Sequence, residues 1–473
     1  MPMPLPRYGG GALSGDDMCA YMENFAARFL GDKIRYCTEI LKVHHATAPD
    51  SGHPAARKWL VYVQDTNSGI RETLEYDKVV LCSGGCSEPR VPPSLSEKAA
   101  DARGFNGPVV HSADFCERLD EILNAVKPVS EYADASVVVI GGGKSAQDTT
   151  WKKSINGTIF TYHMDRKQDC SRSVGLLDLV VSACLDSIVV GEFGTNVVGR
   201  IQFRTLGVPS DSPLRRTPGL LWAIHVNNLG VHSDFHAEIN KGMIDLISPV
   251  HAECFADDRQ GIILTDGRFV KADAVVLATG YGSSWDKLFD EETMEELGFS
   301  KEPDTYENDR EWKYMSLANP PAIRPGEQRS YPMYRGLVPA KSILNRDIAM
   351  SGTVFTTNNG YSYEVASHWI ASYLRGDKFL KLPDTPEAAL AWSRDNAAWL
   401  RKRHPHALLS ANASFSGDFA FWCWPQLMDT LLDDMSLPSM RSGGNVFTWP
   451  FKVIDLKEIE DLGRERAVLR ESL

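Results

Sequence analysis

The most constraining stretch of this 473-residue chain lies at 137–146, where four β-formers, Val137-Val138-Val139-Ile140, run straight into Gly141-Gly142-Gly143-Lys144-Ser145-Ala146. A strand that ends in G-x-G-x-x-A and opens a helix is a turn built to lay main-chain N–H groups against a pyrophosphate. Glycine is needed where the backbone bends and where phosphate approaches, and the small Ala146 lets helix and strand pack closely. With a predicted helix from Lys144 to Lys153 and a strand from Thr158 to Tyr162, the stretch makes most of a βαβ unit. The expected fold class is therefore α/β with a parallel sheet, and Gly141, Gly143, Ser145 and Ala146 are candidate dinucleotide contacts. After the second strand an NAD-binding unit presents an acid to the ribose 2′-hydroxyl. Here Asp165 is followed by Arg166 and Lys167, cations suited to a 2′-phosphate, so NADP is favoured while Asp165 keeps NAD open.

Composition removes several alternatives. Fifty Lys plus Arg against 62 Asp plus Glu give a formal charge of −12 with no basic run, which argues against binding nucleic acid. No stretch of eighteen uncharged apolar residues occurs; the most apolar region, Val174 to Val190, is broken by Asp178 and Asp186, so no membrane span is expected. Met1 to Pro6 lacks the basic and apolar regions of a secretion signal, and Arg470-Glu471-Ser472-Leu473 is not a peroxisomal address, which makes a cytoplasmic location the expectation. Nine cysteines are scattered, and Cys82-x3-Cys86 has no companion pair, so neither disulfides nor metal are expected.

Along the rest of the chain, an amphipathic helix is expected from Met18 to Phe29, with Asp16 and Asp17 able to cap it, followed by strands at Ile34 to Val43, Trp59 to Asp65 and Arg71 to Tyr76. Lys78 to Gly85 reads as a buried parallel strand whose small residues, Cys82, Ser83 and Gly84, meet a ligand. Ile262 to Leu264 and Arg268 to Val270 form a hairpin around Asp266-Gly267. Ala274 to Leu277 is a buried strand ending at Ala278-Thr279-Gly280. The polar, Pro-rich segment from Glu291 to Pro339 resists assignment. Asp347 to Gly352 is a short strand, Glu364 to Leu374 a helix, and the last hundred residues read as helical, with Trp422 and Trp424 as core residues.

Two further motifs give a family resemblance. Phe105-Asn106-Gly107-Pro108-Val109-Val110-His111-Ser112-Ala113-Asp114-Phe115 has the form F-x-G-x-x-x-H-x-x-x-F and resembles the fingerprint of the flavin-containing monooxygenases. Phe115 followed by Cys116 departs from the related Baeyer–Villiger enzymes. Asp273 to Tyr281 resembles the family's A-T-G-Y segment, with Ala278, Thr279 and Gly280 as site candidates, and Lys78 to Gly84 resembles its degenerate first copy. The resemblance implies two Rossmann-like dinucleotide-binding domains, an NADPH domain inserted into an FAD domain. Residues 1–133 would be FAD domain, 134–282 the NADP domain, and 283–473 the returning FAD segment and a helical region.

It also implies the cofactors FAD and NADP, and an activity in which NADPH reduces FAD and O2 adds at flavin C4a. The resulting hydroperoxide then oxygenates a small-molecule soft nucleophile, an amine nitrogen or a sulfur. Such chemistry asks the protein for placement and water exclusion and leaves no side chain in a catalytic role. Leu13 to Val43, including Ile40, resembles the segment leading to the flavin adenine. Arg335-Gly336-Leu337, Gly352 and Thr356-Thr357-Asn358 are candidates near the isoalloxazine ring. His111 is expected to be a hinge or hydrogen-bonding residue, not a base.

The resemblance is incomplete at the start. Gly9-Gly10-Gly11 follows Pro6-Arg7-Tyr8 instead of a strand, so it is not a phosphate loop, and the family's first G-x-G-x-x-G unit has no counterpart. The expectation is a chain that is poorly stable or does not retain FAD. The alternatives are an NADP-binding remnant with a binding or regulatory role, or a Baeyer–Villiger oxygenase.

Overall fold

The computed structural model describes residues 15–46, 58–126, 136–143, 145–146, 242–257, 260–299, 331–356, 358–404, 417–420, 423–443 and 454–473, with the single positions 149, 210, 239 and 414. These residues form α/β structure in two compact units, one taken from the chain up to Gly85 and from Ser283 onward, the other lying between Cys86 and Gly282. The second is thus an insertion in the sequence of the first. The sequence expectations for Lys144 to Lys153, Thr158 to Tyr162, Val174 to Val190, Gly9 to Gly11, Arg166, Lys167, Thr357 and Trp422 lie wholly or mostly outside the described residues. Strands are numbered below in chain order.

In the first unit, β1 (Thr38–Ala46), β2 (Lys58–Asp65) and β3 (Arg71–Tyr76) form an antiparallel sheet in that order, with a bulge between Ile40 and Lys42. Alternation in β2 puts Trp59, Val61 and Val63 on the buried face. The β2–β3 turn is held by Asp65, whose Oδ1 accepts from the N–H groups of Asn67 and Ser68 at 3.0 and 2.7 Å, an Asx turn that Asn67-Ser68-Gly69 suits. β4 (Val79–Leu81) pairs in parallel with β15 (Ile348–Met350). β13 (Met333–Tyr334) and β14 (Val338–Pro339) make a tight hairpin, and β16 (Val354–Thr356) pairs in parallel with β17 (Asp418–Ala420).

The long helix Asn359–Arg375 begins five residues before the predicted start, because the Asn358 side chain accepts the Tyr361 N–H at 3.2 Å and caps it. It ends at Gly376, which takes a left-handed φ of 74°. Its buried face, with Trp369 and Tyr373, packs with Trp424, Met428 and Leu431 of the helix Trp424–Asp434 in the largest core cluster. Trp424 is thus a core residue.

Several elements differ from the sequence reading. The first helix starts earlier, at Gly15–Phe25, so Asp16 and Asp17 sit in its first turn instead of before it. It then widens into a π turn at Ala26–Leu30, and none of its residues is buried. Phe419 lies on a strand within the region read as helical. The Glu291–Pro339 segment contains the helix Glu291–Glu296, capped by Asp290, which accepts from Thr293 N at 2.8 Å. Its short elements fall below the length at which periodicity is readable.

In the inserted unit, β6 (Val109–His111), β11 (Ala274–Leu277) and β7 (Val137–Ile140) form a parallel sheet with β11 in the centre. All four β11 residues are buried, as a strand covered on both faces requires. β8 (Ala252–Phe255), β9 (Gly261–Leu264) and β10 (Phe269–Lys271) form an antiparallel sheet containing the predicted hairpin. A two-residue ribbon, β5 (Glu88–Pro89) against β12 (Tyr281–Gly282), closes the unit.

Candidate functional site

The carboxyl ends of parallel strands are where ligands meet open α/β sheets, and in the inserted unit the sequence candidates gather there. Gly141 follows β7 with φ 138°, and a Cβ on it would overlap the carbonyl oxygen of Ala278 and lie 2.9 Å from its carbonyl carbon. Ala278 N–H in turn donates to Ile140 at 2.8 Å. The ends of β7 and β11 are therefore in backbone contact, an approach only glycine allows. Gly143 differs: a Cβ there would meet no atom within 4 Å. Ser145, Ala146 and Thr149 take helical conformation, with Thr149 Oγ1 donating to the carbonyls of Ser145 and Ala146 at 2.9 and 3.1 Å. The described part of the motif is thus strand, glycine turn and start of helix.

His111, at the end of β6, is buried. Its Nδ1 accepts the Ala113 N–H at 3.1 Å, which leaves the proton on Nε2, and Nε2 donates to Gly280 O at 3.1 Å. Burial pulls its pKa below the ordinary histidine value, opposed by the Gly280 carbonyl and by Asp114. With both nitrogens engaged, the ring pins the A-T-G-Y segment. Tyr281 meets it edge-on, centroids 5.4 Å apart. The Thr279 hydroxyl donates to Arg90 O at 2.5 Å, and Arg90 N–H donates to Gly280 O at 2.9 Å.

The remaining fingerprint residues also have packing roles. Phe105 stacks near Phe255, with centroids 5.0 Å apart. A Cβ on Gly107 would lie 2.8 Å from the Phe105 ring and 2.9 Å from the Asp273 carbonyl carbon, and Phe115 is buried beside Ile122. Sequence reasoning missed Arg90 and Asp273: Arg90 lies in a Pro-rich stretch read as irregular, and Asp273 acts through its backbone at Gly107 and through its carboxylate, which accepts Ser136 N–H at 2.8 Å.

The first unit has its own cluster at the ends of β4 and β15. Ser351 N–H donates to Leu81 O at 2.8 Å. Gly84 and Gly352 take φ 64° and 86°, and a Cβ on either would meet no atom within 4 Å. Ser83 Oγ is 2.7 Å from Ser284 Oγ, and partial desolvation raises the thiol of Cys82, a residue exposed overall, with Ser351 pulling the other way. Asn358 is committed to its helix cap, and its N–H donates to Thr356 Oγ1 at 3.1 Å. Ile40, on β1 and 45% exposed, stands outside the core cluster that covers Leu81, Ile348 and Met350.

Arg335, Gly336 and Leu337 are framework residues. Arg335 donates from Nε and Nη2 to Asp434 at 2.9 Å each, and its guanidinium lies 5.0 and 4.9 Å from the ring centroids of Tyr334 and Trp392. Leu337 is core, and a Cβ on Gly336 would come within 2.7 Å of Asp418 Cβ. Among the described residues no group of three or more His, Cys, Asp or Glu is placed to hold a metal, no cysteine forms a disulfide, and no helix is long and apolar enough to cross a membrane.

Comparison with known proteins gives consistent matches. Residues 16–158 match the family model for L-lysine 6-monooxygenase/L-ornithine 5-monooxygenase. Flavin-containing monooxygenase FMO GS-OX-like 3 of Arabidopsis thaliana is 29% identical over 150 residues, 31% of this chain and 27% of that protein. FMO GS-OX-like 1 and FMO GS-OX4, from the same plant, are 22% and 20% identical over 83% and 86% of this chain, and over 58% and 62% of their own lengths. The chain thus spans less than two thirds of the curated relatives it matches. A solved S-allyl-L-cysteine S-oxygenase from Allium sativum aligns over 99% of this chain and 74% of its own, at 14% identity and a TM-score of 0.45. The family-model and relative matches, with the fingerprint at Phe105 to Phe115, make this chain similar to the flavin-containing monooxygenases.

Proposed function

We propose that the chain is an FAD- and NADPH-dependent monooxygenase that transfers one oxygen atom from O2 to a small-molecule soft nucleophile, an amine nitrogen or a sulfur. The observation that carries the reading is the pair of glycine turns at the ends of parallel strands. Gly143 and Gly280 in the inserted unit, and Gly84 and Gly352 in the first, all stand where an added Cβ would meet no protein atom. Open backbone of this kind suits a pyrophosphate or a flat ring lying directly against the main chain.

In the inserted unit the turn Gly141 to Ala146 would hold the NADP pyrophosphate; for the 2′-phosphate the sequence offers Arg166 and Lys167, which lie outside the described residues. In the first unit Ser83, Gly84 and Gly352 would hold FAD. Bound flavin supplies the redox and O2 chemistry, so the chain's own residues bind and orient. His111 keeps the Gly280 carbonyl fixed and has no ring nitrogen spare for proton transfer; it is a positioning residue.

The direct test uses the full chain supplied with FAD. NADPH oxidation should consume O2 and add 16 Da to a tertiary amine or a thioether. NADP+ binding measured by calorimetry should be lost in Gly143→Asp. An unchanged NADP+ affinity in that variant would overturn the assignment of the turn.

A further inference from the structure

Two arginines of the C-terminal helix Leu462–Ser472 converge on a single carboxylate that a third arginine also faces. Arg470 donates from Nε and Nη2 to Asp377 Oδ1 and Oδ2 at 2.8 and 2.7 Å, Arg466 Nη2 stands 3.6 Å from Oδ2, and Arg375 Nε stands 4.0 Å from Oδ1. Among the described residues no other carboxylate lies within 4.0 Å of any of these three guanidinium groups. Three positive charges therefore meet one negative charge at the end of the helix Asn359–Arg375.

Arg466 is the buried member, its side chain 7% exposed. Its Nε donates to Ser372 Oγ and its Nη1 to His368 Nδ1, both at 2.8 Å. Arg375, 65% exposed, makes no hydrogen bond from its side chain to the described residues. A guanidinium offers a fork of N–H donors and no acceptor, so donors here outnumber the two Asp377 oxygens, Ser372 Oγ and His368 Nδ1. Cations suit the negative end of a helix, but its last carbonyls are already engaged. Ser372 O and Tyr373 O accept from Asp377 N–H and Gly376 N–H at 3.0 and 3.1 Å, and Leu374 O accepts from Lys78 Nζ. The crowding has an electrostatic signature: the Arg466 guanidinium is held below its ordinary value, by burial first. The charge of Arg470 then lowers it more than that of Asp377 raises it, and Arg375 adds to the lowering.

We propose that the seam between these two helices is an anion site that takes a phosphate-class dianion, free or as a small monoester, through Arg375, Arg466 and Arg470. Forked N–H pairs match phosphate oxygens two at a time, and a dianion cancels the excess of two positive charges left by three guanidiniums and one carboxylate. Bound there, it ties Arg466 and Arg470 of the C-terminal helix to Arg375 of its neighbour. The seam lies within the first unit and shares no residue with the glycine turns, so the inference is independent of whether the chain oxygenates anything.

The test is amide exchange of the full chain in sodium phosphate, sodium phenyl phosphate or sodium chloride at one pH and one ionic strength. An anion at ten times its Kd stabilises the bound form about tenfold. Protection factors in Leu462–Ser472 should rise by that much over chloride and saturate with concentration. A response to phosphate alone assigns the free ion, and a response to phenyl phosphate as well assigns a monoester; either supports the site. Arg375→Gln removes an exposed side chain without a hydrogen bond, so the fold keeps its contacts. Its apparent affinity for phosphate should fall roughly 10- to 150-fold, the equivalent of one charge-assisted hydrogen bond. Arg464→Gln, on the same helix but paired with Asp461, should keep the parent response. Equal protection in all three salts overturns the proposal, as does a response that Arg375→Gln retains in full.

Discussion

Two glycines of one motif, Gly141 and Gly143, should fail in different ways when replaced by alanine. At Gly141 the backbone has φ 138°, and the new Cβ would press on the Ala278 carbonyl where β7 and β11 end together. A non-glycine residue in such a conformation costs about 1–3 kcal/mol. Forcing a methyl into packed backbone adds about 1–3 kcal/mol. The sum, roughly 2–6 kcal/mol, is a large part of the 5–15 kcal/mol typical of a folded domain. At about 2–4 °C per kcal/mol for a unit of this size, the unit should melt some ten degrees lower.

Gly143→Ala meets nothing within 4 Å and should stay within about 0.5 kcal/mol of the parent. If a pyrophosphate lies on that backbone, the methyl displaces at least one charge-assisted hydrogen bond worth about 1.5–3 kcal/mol, weakening NADP+ binding roughly 10- to 150-fold. Calorimetric melting and NADP+ titration of both variants separate the two roles. Equal melting temperatures for Gly141→Ala and the parent would refute the packing argument, and parent-like NADP+ affinity in Gly143→Ala would refute the ligand argument.

Further outcomes follow from other contacts. Gly107→Ala should lower the melting temperature of the inserted unit, since its Cβ would strike both Phe105 and Asp273; a neutral result would mean that the turn has room to move. Asp434→Leu should cost about 3–5 kcal/mol by leaving Arg335 buried and unpaired, and adding Arg335→Met should recover most of it; denaturant titration of the three variants checks this. At Asp377, burial raises the carboxyl, but Arg470, bonded at 2.8 and 2.7 Å, together with Ser372 outweighs it and holds the pKa below the ordinary 3.8. A lowered folded-state pKa gives stability present above the ordinary value and lost as pH falls through the folded one. The protection factors of amides in the helix Leu462–Ser472, taken relative to the intrinsic exchange rate at each pH, should therefore fall below about pH 4, and Asp377→Asn should abolish that acid response.

The parts of the fold that were readable came from patterns with a period or a punctuation mark. The strand Val137–Ile140 with its glycine turn, the hairpin around Asp266-Gly267 and the buried run Ala274–Leu277 each carry such a mark, and each is found as read. The helix Asn359–Arg375 was read short because its cap depends on one side chain, Asn358, and not on its apolar stripe. The strand at Phe419 escaped because three residues are too few to show alternation.

At the sites, glycines were legible where they mark turns. The pairing of Arg335 with Asp434 was not, since its partner stands ninety-nine positions away.

The Gly280 carbonyl accepts from both Arg90 N–H and His111 Nε2, beside the ribbon of β5 and β12. The points where the insertion leaves and rejoins the chain are thereby stitched together. In polymer terms some 190 residues become a closed loop whose closure entropy, growing only with the logarithm of length, is met by a few hydrogen bonds. The two ends of the inserted unit are held side by side by its own contacts, so cuts placed just outside that ribbon, before Glu88 and after Gly282, leave the stitch intact.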